Sequence, residues 1–132
     1  MKRIFLILCL GASCALATNL NPVGFVNAAV TSTAVKVNTV GTPPSLLVSY
    51  NITNNTSSFV YIQFFDVAAT SSVTLGTTAP AYVIAVPPYG VTDAFVAAPQ
   101  FTFYNGIVIA ATTTATGNTA PSTAASVSLS YE

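Results

Sequence analysis

Apolar and polar positions exchange places at every second residue through most of this chain. Leu46, Val48, Tyr50 and Ile52 alternate with Leu47, Ser49, Asn51 and Thr53, and Val127, Leu129 and Tyr131 alternate with Ser126, Ser128 and Ser130. Successive side chains of a strand point to opposite faces, so each stretch predicts a strand with one buried and one polar face. No window of helical length carries an apolar stripe of period 3.6. The segment Phe59–Phe65 is different. Phe59, Tyr61 and Phe65 project to one side, and Val60, Ile62 and Phe64 to the other. This spacing predicts a strand covered on both faces, by the core and by either a neighbouring subunit or a folded-over loop. Phe59, Tyr61, Ile62, Phe64 and Phe65 are therefore the candidate core or interface residues.

Further strands are expected at Val23–Val30, Thr33–Asn38, Ser72–Leu75, Ala81–Val86, Val91–Val96, Gln100–Tyr104 and Ile107–Thr112. The punctuation between them is turn chemistry. Pro87-Pro88-Tyr89-Gly90 suits a type I turn with Pro88 at its second position and Gly90 at its fourth. Tyr104-Asn105-Gly106-Ile107 sets Asn-Gly between apolar runs, the strongest short hairpin signal. Asn54-Asn55-Thr56-Ser57 reads as a polar turn between two strands. Eight or nine short antiparallel strands at this spacing predict an all-β fold, a β-sandwich or jelly roll. One echo, G-x-T-A-P at Gly76–Pro80 and Gly117–Pro121, is explained most cheaply as two similar loops leading into strands.

The first 17 residues stand apart. Lys2 and Arg3 precede the apolar run Ile4–Leu10, and Ala15-Leu16-Ala17 supplies the small-x-small pattern read by signal peptidase. The run from Ile4 to Ala17 is 14 residues, short of the ~20 that a membrane-spanning helix needs. A cleaved signal peptide with its cut between Ala17 and Thr18 is expected, leaving residues 18–132 as one β-sandwich domain. Lipoprotein processing at Cys14 is a weaker alternative, because Gly11 stands where a lipobox usually has Leu.

Composition narrows the chemistry. Both cysteines lie in the leader and the chain has no His or Trp, so residues 18–132 hold no thiol, disulfide or imidazole. Their ionisable side chains, tyrosines aside, are Lys36, Asp66, Asp93 and Glu132, a side-chain net charge of −2. Nucleic acid is excluded as a partner, since binding phosphates takes several Lys or Arg. Polarity comes instead from 11 Ser, 19 Thr and 9 Asn after Ala17. A surface of hydroxyls and amides loses little when another subunit covers it, whereas burying charge is costly. Composition thus leans toward assembly.

Catalysis is disfavoured. A Ser or Thr nucleophile usually needs a His or Lys base, and only Lys36 is present after the leader. A glycosidase pair would have to be Asp66 and Asp93, yet each reads as a solvated or turn-capping acid. No clustered carboxylates suggest a cation site and no glycine-rich loop suggests a phosphate site. No cofactor, metal or small-molecule substrate is expected. The three overlapping sequons at Asn51, Asn54 and Asn55 are what an Asn- and Thr-rich turn generates, and glycosylation is not required to explain them. Tyr61, Tyr82, Tyr89 and Tyr104 could form a sugar platform, but core or interface packing is the commoner use of strand tyrosines.

Five stretches carry a resemblance: NPVGF (Asn21–Phe25), SYNITNNTSSFVYIQFFD (Ser49–Asp66), VTLGTTAP (Val73–Pro80), VPPYG (Val86–Gly90) and IAATTTATGNTAPST (Ile109–Thr123). In this order they resemble a loose group of small proteins of tailed-phage genomes, prophages and environmental viral sequences. The resemblance covers nearly the whole chain after the leader and rests on strand and loop texture. It implies a non-enzymatic virion structural protein of the head-decoration or fibre type. Such a protein would self-associate, as a trimer in the first instance, and contact capsid or other virion proteins on the particle surface. The resemblance carries over no catalytic residues. Two alternatives stay open: a secreted bacterial surface, matrix or filament subunit, for which the leader is apt, and a secreted carbohydrate- or surface-binding module.

The leader yields the first prediction. The intact mass of the exported protein should correspond to a chain beginning at Thr18, and an N-terminus at Met1 would remove the signal-peptide assignment.

Overall fold

The computed structural model describes residues 22–39, 44–95 and 101–132, so the leader and the Ala17–Thr18 junction lie outside the described residues. The described chain forms nine strands: β1 (Val23–Val30), β2 (Val35–Thr39), β3 (Ser45–Thr53), β4 (Val60–Asp66), β5 (Tyr82–Val86), β6 (Val91–Phe95), β7 (Thr102–Phe103), β8 (Gly106–Thr112) and β9 (Ala125–Tyr131). One 3-10 turn, Thr70–Ser72, is the sole helical element among the described residues.

All pairings are antiparallel and fall into two sheets. Sheet A runs β1-β9-β3-β6, with β7 paired to the start of β3; sheet B runs β2-β8-β4-β5. Leave out the two-residue β7 and the pairing is nested. The first strand pairs with the last, the second with the last but one, the third with the third from the end, and β4 with β5 in the middle. A long hairpin rolled up on itself produces this connectivity, which is that of a jelly roll. The all-β sandwich expected from the alternation is the observed fold.

Its core lies between the inner faces. Sheet B contributes Val60, Ile62 and Phe64 from β4, Ile84 and Val86 from β5, and Ile107, Ile109 and Ala111 from β8. Sheet A contributes Val30, Leu47, Ile52, Val127, Leu129 and Tyr131. One end is closed by aromatics. Tyr82 meets Phe101 and Phe103 edge to face at 4.5 and 5.5 Å, and Phe103 lies 6.2 Å from Phe64. Pairs of this geometry add about 0.5–1.5 kcal/mol each beyond the area they bury.

Four local expectations are corrected. In β3 the core residues are Leu47 and Ile52 rather than a Leu46–Val48–Tyr50–Ile52 row, because the register against β9 shifts between Leu47 and Ser49. That bulge exchanges the two faces for the start of the strand. Ser72–Leu75 is no strand. Ser72 closes the 3-10 turn, and the segment then enters a turn where the amides of Thr77 and Thr78 donate to the Thr74 carbonyl and Gly76 has φ 81°. Asn105-Gly106 does not close a hairpin, since β7 belongs to sheet A and β8 to sheet B; it is a corner between sheets. Finally, Gly90 donates to the Pro87 carbonyl as a β-turn requires, but Tyr89 has φ 50°. A positive φ at the third position excludes type I, and the proline ring at Pro88 excludes type I′, so the turn is type II. Gly90 is needed on its own account, because a Cβ there would stand 2.7 Å from Pro87 Cγ. Of the expected strands at the 96–100 segment, Val96 and Gln100 lie outside the described residues.

Phe64 tests the core. It is buried to 1% exposure against Phe103, so Phe64→Ala should cost about 3–5 kcal/mol, read as a lower urea midpoint at unchanged slope.

Candidate functional site

The aromatic strand resolves into two different surfaces. Val60, Ile62 and Phe64 face the sandwich core, while Gln63 and Phe65 are equally buried on the other side of sheet B. What covers that side is the chain itself. Phe65 packs with Val108 and Ala110 beneath Ala34, Val67, Val73 and Leu75. The folded-over loop is thus the cover, not a neighbouring subunit, and Ile62, Phe64 and Phe65 are core residues. Phe59 departs from the expectation. It precedes the strand and is 49% exposed, with its ring 6.4 Å from that of half-buried Tyr61.

Gln63 anchors the cover. Its Nε2 donates to Thr112 Oγ1 at 2.7 Å and to the carbonyl of Gly117 at 3.0 Å. Thr112 Oγ1 donates in turn to the Thr114 carbonyl at 2.7 Å. The 113–119 loop is thereby pinned over sheet B, where it meets the other G-x-T-A-P loop: a Cβ on Gly76 would lie 3.5 Å from Asn118 Nδ2. Gln63 Oε1 is buried with no hydrogen-bond partner.

Two further polar groups fasten the ends. Asn54, 1% exposed, directs its Nδ2 at the carbonyls of Ser58 (2.8 Å), Pro87 (2.9 Å) and Val86 (3.2 Å). Its Oδ1 accepts from the amide and hydroxyl of Thr56, both at 2.8 Å. Two amide hydrogens serve three carbonyls, so one is shared. The β3–β4 and β5–β6 turns are locked together, and the amides of Tyr89 and Asn54 complete the lock by donating to Thr56 and Gly90. Of the three sequon asparagines, Asn51 and Asn55 are exposed while Asn54 is committed to this network. At the opposite end Asp66 Oδ1 accepts from three successive backbone amides, Tyr104 (2.9 Å), Asn105 (2.7 Å) and Gly106 (3.3 Å). Gly106 must be glycine here, because a Cβ would stand 2.5 Å from the Val67 carbonyl. Asp66 is a turn cap, as its position at a strand end suggested.

Asp66 and Asp93 are not brought together: one ends β4 in sheet B, the other pairs with Asn51 in sheet A. No group of three acids, histidines or cysteines that could hold a metal exists among the described residues. The tyrosines do not form one platform either. Tyr82 is in the aromatic plug, while exposed Tyr89 and Tyr104 lie at opposite ends of the sandwich, in the β5–β6 turn and just before β8.

The surface that remains is the outer face of sheet A. Cross-strand neighbours form rows across it: Gly24, Ser130, Ser49 and Phe95; then Val26, Ser128, Asn51 and Asp93; then Ser126, Thr53 and Val91. No described loop crosses these rows, and Val26 and Phe95 are 75% and 77% exposed. The alternation announced the serines of this face, but nothing local announced that only sheet B would be covered. Compared against known protein families, curated proteins and solved structures, the chain matches none of them.

Asn54 offers the sharpest test of this architecture. Asn54→Ala strands buried carbonyls and the Thr56 amide, and should cost roughly 3 kcal/mol. Asn54→Asp should cost more, since an acceptor would then face three carbonyls. Urea denaturation of both variants checks the order.

Proposed function

We propose that this chain is a non-enzymatic structural protein of a virus particle, a self-associating decoration or surface component on the outside of the shell. The observation that carries the reading is the inequality of its two outer faces. One is roofed by the protein's own loops; the other, among the described residues, is an open sheet of hydroxyls and amides with exposed apolar side chains at its edges and ionisable groups only at its margins, Asp93 on β6 and Glu132 just past β9. Such a face is suited to contact with another protein. The jelly roll is a fold used by capsid domains, and also by lectins and cupins, so fold alone favours no single use. The sequence resemblance to phage-associated proteins favours the first of these. The polar side chains of the fold support it as well, because buried Gln63 and Asn54 and half-buried Asp66 are engaged in fastening backbone.

A second reading, a secreted bacterial surface or filament subunit, is favoured by the apolar leader Met1–Ala17. Mass spectrometry separates the two. The first expects the chain in purified particles at a copy number comparable with shell proteins. Its absence from particles, with recovery in culture supernatant, would replace the first reading by the second.

A further inference from the structure

The row Gly24–Ser130–Ser49–Phe95 has its smallest and largest side chains at its two ends. Phe95, on edge strand β6, stands 77% exposed, whereas the space a Cβ would take on Gly24, on edge strand β1, is open. Between them lie only hydroxyls. We propose that the outer face of sheet A is the docking surface for a second copy of this chain, the two sheets stacking about a two-fold axis parallel to their strands. This deepens the structural-protein reading and rests on its self-association.

Three observations select a second copy as the occupant. The first is charge. A partner covering this face must bring no charge onto its centre, where an unpaired ion would cost several kcal/mol. The face carries charge only towards its margins: Asp93 is on edge strand β6, within reach of rim water, and Glu132, continuing the Ser126, Ser128 and Ser130 positions of β9, lies at the end of the sheet, its backbone paired with Leu46. The second is shape. A two-fold interface must be self-complementary, each patch meeting the other in exchanged positions. An axis along the strands lays β6 of one copy over β1 of the next, so each Phe95 falls on Gly24 of the partner subunit, twice over. The same operation sets Ser49 opposite Ser130 and Asn51 opposite Ser128, groups that both donate and accept. The third is size. Four strands at ~4.8 Å spacing and about six residues at ~3.4 Å give roughly 400 Å² per copy in projection. The pair therefore buries about 800 Å² or somewhat more, the low end for a specific interface. A two-fold pair that is weak alone and reinforced where many copies are held together is the expected behaviour.

The test is sedimentation equilibrium of the full chain in reducing buffer, from low micromolar to hundreds of micromolar. The wild type should move from one-chain to two-chain mass across this range. Ser128→Arg, which puts a charge in the centre of the face, should weaken pairing about tenfold or more. Ala85→Arg, on exposed edge strand β5 of sheet B, should leave it unchanged. Should Ser128→Arg fail to fold, Phe95→Ser removes an exposed ring from an edge; it should weaken pairing at an unaltered melting temperature. A wild type that stays one chain throughout overturns the inference, and its presence in purified particles would still uphold the structural role. Pairing that survives both face variants overturns the assigned surface, and a three-chain mass overturns the two-fold arrangement.

Discussion

From Ile62 to Phe65 strand β4 is closed to water on both faces, and much of the remaining architecture follows from this. Val60, Ile62 and Phe64 close the core from one direction while Gln63 and Phe65 are buried from the other. An antiparallel sheet ordinarily keeps one face in solvent; sheet B cannot. The chain resolves this by laying the 67–81 and 113–119 segments over it. A roof made of loop brings carbonyls and amides out of water, and each needs a partner. That is the physical reason for a fully buried glutamine in an apolar strand: Gln63 and its neighbour Thr112 serve the carbonyls of Thr114 and Gly117. The described loops long enough to roof a sheet are used on sheet B, and no described loop crosses the outer face of sheet A.

Period-2 alternation carried the fold class, the nine strands to within a few residues of most boundaries, and the two-faced character of β4. It failed where a single residue shifts register. Nothing in Leu46-Leu47-Val48-Ser49 marks the bulge that puts Leu47 in the core, because all three apolar residues suit a strand equally. Val73 and Leu75 alternate like a strand because they must cover Phe65 from one side, yet their backbone bonds close turns. Asn-Gly at 105–106 signals a turn correctly but not which strands it joins; Asp66, some forty positions earlier, takes the amides and directs the chain into the other sheet. Asn54 was legible as a turn former and illegible as a lock. Its acceptors at Val86 and Pro87 lie 32 and 33 positions away, beyond any local pattern.

The placement of charge extends this logic from folding to association. After the leader only four non-tyrosine side chains ionise, and two of them, Lys36 on β2 and Asp93 on β6, lie on edge strands. Asp66 caps a turn, and Glu132 follows β9 at the end of sheet A, its backbone paired with Leu46. An unpaired edge is where sheets join end to end into aggregates, and a charge there is a common safeguard. One edge of each sheet is therefore guarded while the rows of Ser, Thr and Asn between the edges stay neutral. A face made of leucine and valine would bind more strongly, but it would also expose strand-forming apolar segments before folding is complete, which invites cross-β pairing. A face strewn with lysine and glutamate would stay soluble and repel its own copy. Hydroxyls fall between these limits: they keep water while the subunit is free, and they exchange it for each other at little cost when a matching surface arrives. In the proposed two-fold pair, selectivity would rest with the few apolar groups at the rim, above all Phe95 set opposite the open backbone of Gly24 of the second copy, and this distribution of side chains suits association by faces better than by edges.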